Sequence, residues 1–181
     1  MVSWSKIARR SRVPLGFAVT ALYLWLANPL AISLLFGTVF IVPGLLIRAL
    51  ASGHVEKNER LATTGPYAFT RNPLYLGSLI MASGFALAAR SVWIAAILLV
   101  MFVAIYMPVI RAEEAFLAQH FPEFAEYARR VPRLAPNPTP PGKQQWNFSW
   151  DLYKKHREYN ATLGSVAIMT ALVAKLLWLG R

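Results

Sequence analysis

From Val13 to Leu50 the chain is apolar for about 38 residues, roughly 57 Å as one straight helix against a bilayer core of about 30 Å. Such a stretch must fold back on itself, and Asn28-Pro29 supplies the turn chemistry at its middle. This predicts a first span from Pro14 to Ala27 and a second from Leu30 to Leu50, with Pro43 a candidate kink. Further apolar segments predict a third span from Pro73 to Ala89, a fourth from Val92 to Ile110 and a fifth from Ala161 to Leu179. The expected fold class is all-α: a polytopic integral membrane helical bundle of about five transmembrane helices with cytoplasmic interfacial helices. Residues 1–181 form one integral membrane domain, with a core at 54–138 and a C-terminal interfacial segment plus extra helix at 139–181.

Composition narrows the chemistry. Hydrophobic residues make up 56% of the chain and the mean hydropathy is +0.42, as expected of a membrane protein. The absence of cysteine excludes disulfides, thiolate catalysis and Cys-based zinc sites. His54, His120 and His156 lie far apart with no HxxxH or HExxH spacing, so no metal site is expected. The net charge of +11 does not point to nucleic acid, because the basic residues bracket apolar spans and report topology. With the N-terminus in the cytoplasm, Lys6, Arg9, Arg10, Arg12, the loop from Arg48 to Arg71 and the long segment after the fourth span all lie inside. Only Arg90, Lys175 and Arg181 fall outside, and Lys175 can snorkel. The expected location is a plasma membrane, or the inner membrane of a bacterium, with the C-terminus on the opposite side. The basic start runs into an apolar stretch without a small-residue cleavage pattern, so no cleaved signal peptide is expected.

This topology gathers the polar residues at one membrane face. Leu61 to Gly77, LATTGPYAFTRNPLYLG, sets a turn-rich loop against the start of the third span, with Asn72 suited to cap it and Pro73 to its first turn. The fourth span runs on as a helix carrying Glu113 and Glu114. Adjacent helical residues diverge by about 100°, so one of the two faces a site and the other meets water or an arginine. No Asp, Glu or His lies inside a span, which argues against a proton-coupled pathway. Ser78, Ala82 and Ala86 predict a helix-packing face, and Trp4, Trp25, Trp93, Trp146, Trp150 and Trp178 fall near interfaces as aromatic anchors.

The order of the pieces carries more than any one of them. Thr63, Gly65 and Tyr67, then Arg71, Asn72, Pro73, Tyr75 and Gly77, then Glu113, Glu114 and Leu117, then Phe124, Tyr127, Arg130, Val131 and Pro132 follow one another from about His54 to Pro138. This series resembles the isoprenylcysteine carboxyl methyltransferase family of integral membrane enzymes. That family's histidine in R-H-P stands here as Asn72, which keeps hydrogen bonding and loses a titratable group.

The resemblance implies methyl transfer from S-adenosyl-L-methionine to a lipid or prenylated acceptor drawn from the bilayer, most like carboxyl O-methylation. By motif position the cofactor stretch falls on Glu59, Arg60, Leu61 and Ala62, then Gly65 and Tyr67, then Asn72, Pro73, Leu74 and Tyr75, then Glu113 and Glu114. The start of the third span offers backbone N–H groups and a positive dipole end to the cofactor carboxylate, and Glu113 can receive its ammonium or ribose. Arg71, Arg111 or Arg133 can orient an acceptor carboxylate, or anchor headgroups. Three other classes remain open. A phospholipid N-methyltransferase shares an N-P-x-Y-x-G-like stretch, but no G-x-G element occurs here. A sterol-reductase-like NADPH enzyme needs a longer chain. A non-catalytic scaffold would not depend on Tyr67, Tyr75 or Glu113. The segment Trp146 to Gly164 reads as an interfacial helix leading into the fifth span, an extra anchor in preference to a cap on the site or a dimer contact.

Overall fold

The computed structural model describes residues 17–56, 59–140 and 146–180. The basic residues Lys6 to Arg12, Trp4, the predicted start of the first span at Pro14, and Arg181 lie outside the described residues.

The five apolar segments are five helices. Helix α1 (Phe17–Leu26) ends at the predicted Asn28-Pro29 turn, and α2 (Ala31–Ser52) returns from it. After a loop come the single turn α3 (Pro66–Phe69) and α4 (Pro73–Ala89). Helix α5 (Val92–Met101) passes through a π-helical segment, Phe102–Tyr106, into α6 (Met107–His120). The short helices α7 (Phe124–Arg130) and α8 (Trp150–Lys155) precede α9 (Tyr159–Trp178). Ala31–Ser52, Val92–His120 and Tyr159–Trp178 are each long and apolar enough to cross a membrane, and α1 and α4 are shorter apolar helices packed among them. The chain is therefore a multi-pass helical membrane bundle. Val92–His120 is 29 residues, roughly 44 Å against a bilayer core of about 30 Å, and Glu113 and Glu114 lie in its last two turns.

The central contact is between α2 and α4, and glycine makes it. A Cβ on Gly84 would lie 2.6 Å from the Gly37 carbonyl oxygen, and one on Gly37 would lie 2.7 Å from that of Gly84. Gly44 and Gly77 repeat the same reciprocal approach at 2.7 Å. Backbones this close maximise dispersion contact where the hydrophobic effect drives no association. The packing face is thus Gly77, Gly84 and Ala88, all buried, and not the predicted Ser78, Ala82 and Ala86. Ser78 instead makes hydrogen bonds, its hydroxyl accepting from Arg48 and donating to the Leu74 carbonyl.

Polar ties fix the helix ends. The Tyr23 hydroxyl donates to Phe85 O at 2.9 Å, and Asn28 N–H donates to Ala89 O at 2.8 Å. Lys175 does not snorkel to water: its ammonium donates to Leu24 O and Trp25 O, carbonyls at the end of α1 that have no partner within the helix. Around these ties Tyr23, Ala27, Leu34, Ala88, Ala89, Ile94, Leu172 and Leu176 form the buried core.

Arg48, within the predicted second span, stands inside α2, where its Nε donates to Glu158 at 2.6 Å. Glu158 immediately precedes α9, so the C-terminal helix is bound to the core by a partly buried ion pair. The same segment lays Ser149 N–H on Gly53 O at 2.9 Å, and His156 Nδ1 lies 3.0 Å from Ser52 O.

Candidate functional site

The loop from Leu61, α3 and the first turn of α4 are held in place by the segment that follows α6. Arg71 N–H donates to Pro132 O at 2.9 Å, Asn137 N–H to Phe69 O at 2.8 Å, and Thr70 Oγ1 to Arg133 O at 3.0 Å. The Tyr127 hydroxyl donates to Tyr67 O at 2.7 Å. Burial pushes the hydroxyl pKa of both Tyr67 and Tyr127 up, so both stay protonated donors at any physiological pH. Two segments whose bonded residues lie 60 and 63 positions apart in sequence are one surface.

At its centre is Glu114, buried. Its Oε1 accepts from Asn72 Nδ2 at 3.0 Å, and its Oε2 receives Arg133 Nε at 2.9 Å and Nη2 at 2.8 Å. Arg71 Nε lies 3.3 Å from Oε1, close enough for charge attraction but without the alignment of a hydrogen bond, and Arg71 Nη1 donates to Ala128 O. The hydrogen bond to Glu114 raises the Arg133 pKa, so its guanidinium is permanently charged. Asn72 therefore occupies the N-cap position of α4 without capping it by its side chain. Its Nδ2 donates to Glu114 Oε1 and, at 3.1 Å, to Arg133 O.

Glu113, one residue earlier, is exposed and accepts from the Tyr75 hydroxyl at 3.0 Å. The divergence expected of neighbouring helical residues is realised: Glu114 is bound by arginines and Glu113 faces outward. Above Glu113 the π-helical turn aligns aromatic rings. Phe102 and Tyr106 stack at 5.6 Å, and Tyr75 meets Tyr106 edge-on at 5.7 Å. π-helical turns inside α-helices recur at functional sites because they change which side chains share a face. Tyr106 stands two turns before Glu113, and its place beside Tyr75 has no signal in the sequence beyond that spacing.

Gly65, Tyr67 and Pro73 are buried in the loop and helix start, and Leu61, Ala62 and Leu74 are half-buried beside them. Glu59 and Arg60 are exposed and engaged elsewhere, Glu59 at 3.7 Å from Lys155 Nζ and Arg60 with Glu56. Arg111 is exposed on α6, and Arg71 and Arg133 are committed to Glu114. Trp25, Trp93, Trp150 and Trp178 are exposed as anchors would be, whereas Trp146 packs on His54 and Phe69. Among the described residues no three His, Cys, Asp or Glu come together to hold a metal ion.

The chemistry of this donor set fits S-adenosylmethionine. An exposed carboxylate with a tyrosine hydroxyl suits an ammonium or ribose, aromatic faces suit a sulfonium, and the start of a 17-residue helix suits a carboxylate.

Residues 47–123 match the family model described as phospholipid methyltransferase, a stretch that includes Asn72, Tyr75, Glu113 and Glu114 and ends before Tyr127 and Arg133. The cobalt-zinc-cadmium resistance protein CzcN of Cupriavidus metallidurans is 46% identical over 81 residues, 45% of this chain and 38% of that protein. The nickel-cobalt-cadmium resistance protein NccN of Alcaligenes xylosoxydans xylosoxydans is 38% identical over 113 residues, 62% of this chain and 52% of that protein. The matched part of the chain thus spans about half, or less, of the length of these relatives. No solved structure matches.

Proposed function

We propose that this protein is an integral membrane methyltransferase that moves a methyl group from S-adenosylmethionine to a lipid-borne acceptor. The observation that carries this reading is the single polar surface made by Asn72 and Tyr75 with Glu113 and Glu114, at the place where an apolar helix leaves the bilayer and inside the phospholipid methyltransferase match. When bound, S-adenosylmethionine supplies a methyl group on a cationic sulfur. Glu113 with Tyr75 holds its ammonium or ribose, the start of α4 receives its carboxylate, and Leu61, Ala62, Gly65 and Tyr67 wall its adenine. The Glu114 cluster keeps the two segments in register, so Arg71, Asn72 and Arg133 act as positioning residues. Methyl transfer needs placement more than proton shuttling.

An amine-bearing headgroup is the acceptor this geometry favours. Tyr75, Tyr106 and Phe102 above an exposed carboxylate make surroundings suited to a cation. An ammonium must surrender a proton before its nitrogen can attack, and with Glu113 holding the cofactor that proton passes to water. The second reading is a prenylcysteine-type carboxylate, favoured by exposed Arg111 and by Arg133, whose side chain is 40% exposed beyond its bond to Glu114. The positive-inside pattern supports a cytoplasmic site. The relatives' names attach to metal resistance.

Purified protein titrated with S-adenosylhomocysteine and, separately, with NADPH tests the class, and labelled methyl transfer into a whole-membrane lipid extract identifies the acceptor. Saturable S-adenosylhomocysteine binding and label in a phospholipid headgroup are expected. NADPH binding without S-adenosylhomocysteine binding overturns the reading in favour of a reductase, and binding of neither leaves a scaffold.

A further inference from the structure

Resting on the methyltransferase reading, we propose that His54 is a ligand-binding residue of this site, its Nε2 accepting a hydrogen bond from an amine or hydroxyl on the nucleoside half of the cofactor. His54 closes the end of α2 and is 8% exposed. Its Nδ1 lies 2.7 Å from Leu50 O, and because a carbonyl only accepts, Nδ1 carries the proton. In the neutral ring Nε2 then presents a lone pair, and that atom is buried with no partner among the described residues. An unsatisfied buried acceptor is destabilising, so a histidine kept for packing alone is a poor choice against an apolar ring.

Its surroundings say what would satisfy it. Gly65, at φ +56°, approaches so closely that a Cβ there would lie 2.6 Å from His54 Nε2 and Cδ2. The imidazole therefore rests on the first residue of Gly65-Pro66-Tyr67, within the stretch assigned to the cofactor. Trp146 stands edge-on to the imidazole at 5.9 Å and lies 6.3 Å from Phe69, and it is 53% exposed. A single acceptor beside aromatic walls suits a flat base or its sugar, which bring N–H and O–H donors, and does not suit a carboxylate or phosphate. The C-terminal segment, outside the family match, thereby contributes Trp146 to the cofactor end of the site.

The test is calorimetric titration of S-adenosylhomocysteine into wild type, His54→Phe and His54→Gln in detergent, with the ligand-free melting temperature recorded for each. His54→Phe keeps the ring and loses the acceptor, and binding is expected to weaken about tenfold, the effect of one lost hydrogen bond. His54→Gln, which can present an oxygen near the place of Nε2, is expected to recover part of that loss. A second readout needs no folded phenylalanine variant. The chain has 3 histidines, so the His54 Nε2 resonance is assignable in ¹⁵N-histidine spectra of the wild type, and it is expected to shift on adding S-adenosylhomocysteine. Wild type that binds S-adenosylhomocysteine with an unmoved Nε2 resonance, or a His54→Phe variant of unchanged affinity, overturns the role of His54 and leaves the methyltransferase reading standing. Wild type that does not bind S-adenosylhomocysteine overturns both.

Discussion

Replacing Glu114 by Gln keeps its volume and an acceptor for Asn72 but removes the charge that two arginines face. The two arms differ in burial: the Glu114 side chain is 9% exposed, that of Arg71 13% and that of Arg133 40%. Removing one partner of a buried ion pair costs about 3–5 kcal/mol, because the other charge stays desolvated. The Arg133 arm has water to fall back on and contributes about 1 kcal/mol at most. The expected loss is therefore about 3–4 kcal/mol, and at about 2–4 °C per kcal/mol for a chain of this size the melting temperature falls by roughly 10 °C. Thermal unfolding in detergent, followed by circular dichroism, measures it. A double-mutant cycle then apportions the loss. Coupling between Arg71→Ala and Glu114→Gln is expected to exceed that between Arg133→Ala and Glu114→Gln, and raised salt is expected to erode only the latter. This order holds although Arg133 makes the shorter contacts, 2.9 and 2.8 Å against 3.3 Å. Equal couplings, or a Glu114→Gln melting temperature within about 2 °C of wild type, would refute burial as the source of the cluster's strength.

Gly84→Val drives a side chain into the Gly37 carbonyl and is expected to leave little monodisperse protein on size-exclusion chromatography, whereas Ala82→Val, off the seam, is tolerated. Glu158→Ala strands the Arg48 guanidinium, whose side chain is only 22% exposed, and frees the start of α9; faster tryptic cleavage at Lys154 and Lys155 is the readout. Burial raises the Tyr67 and Tyr127 pKa above the ordinary 10.0, so the folded state keeps protons that the unfolded chain releases. Their contribution is intact below pH 10.0 and falls above it, by up to about 1.4 kcal/mol per pH unit for each tyrosine, and Tyr127→Phe is expected to flatten that alkaline limb in a melting-temperature profile.

What the sequence revealed and what it hid divide along a physical line. The five apolar segments and the Asn28-Pro29 turn were legible because bilayer thickness and turn chemistry act on consecutive residues. The divergence of Glu113 and Glu114 was legible because helix geometry alone requires it. The packing face of α4 was not: Gly77, Ser78, Ala82, Gly84, Ala86 and Ala88 are all small, and only the position of Gly37 and Gly44 on α2 decides which face is used. Local preference put Asn72 in a cap, and a carboxylate 42 residues away took its amide. The partner of Arg48, 110 residues on, was not legible either, because nothing local selects it.

Asn72 and Arg48 each found a partner far along the chain. His54 is the opposite case. Its Nδ1 bond is local, to the carbonyl four residues back, and its other nitrogen is buried with no partner, near or far, among the described residues. The fold recruits Asn72, Arg48 and Lys175 across 42, 110 and about 150 residues to satisfy their bonds, yet among the described residues it leaves this acceptor open beside Gly65, which is the ground for giving it a ligand.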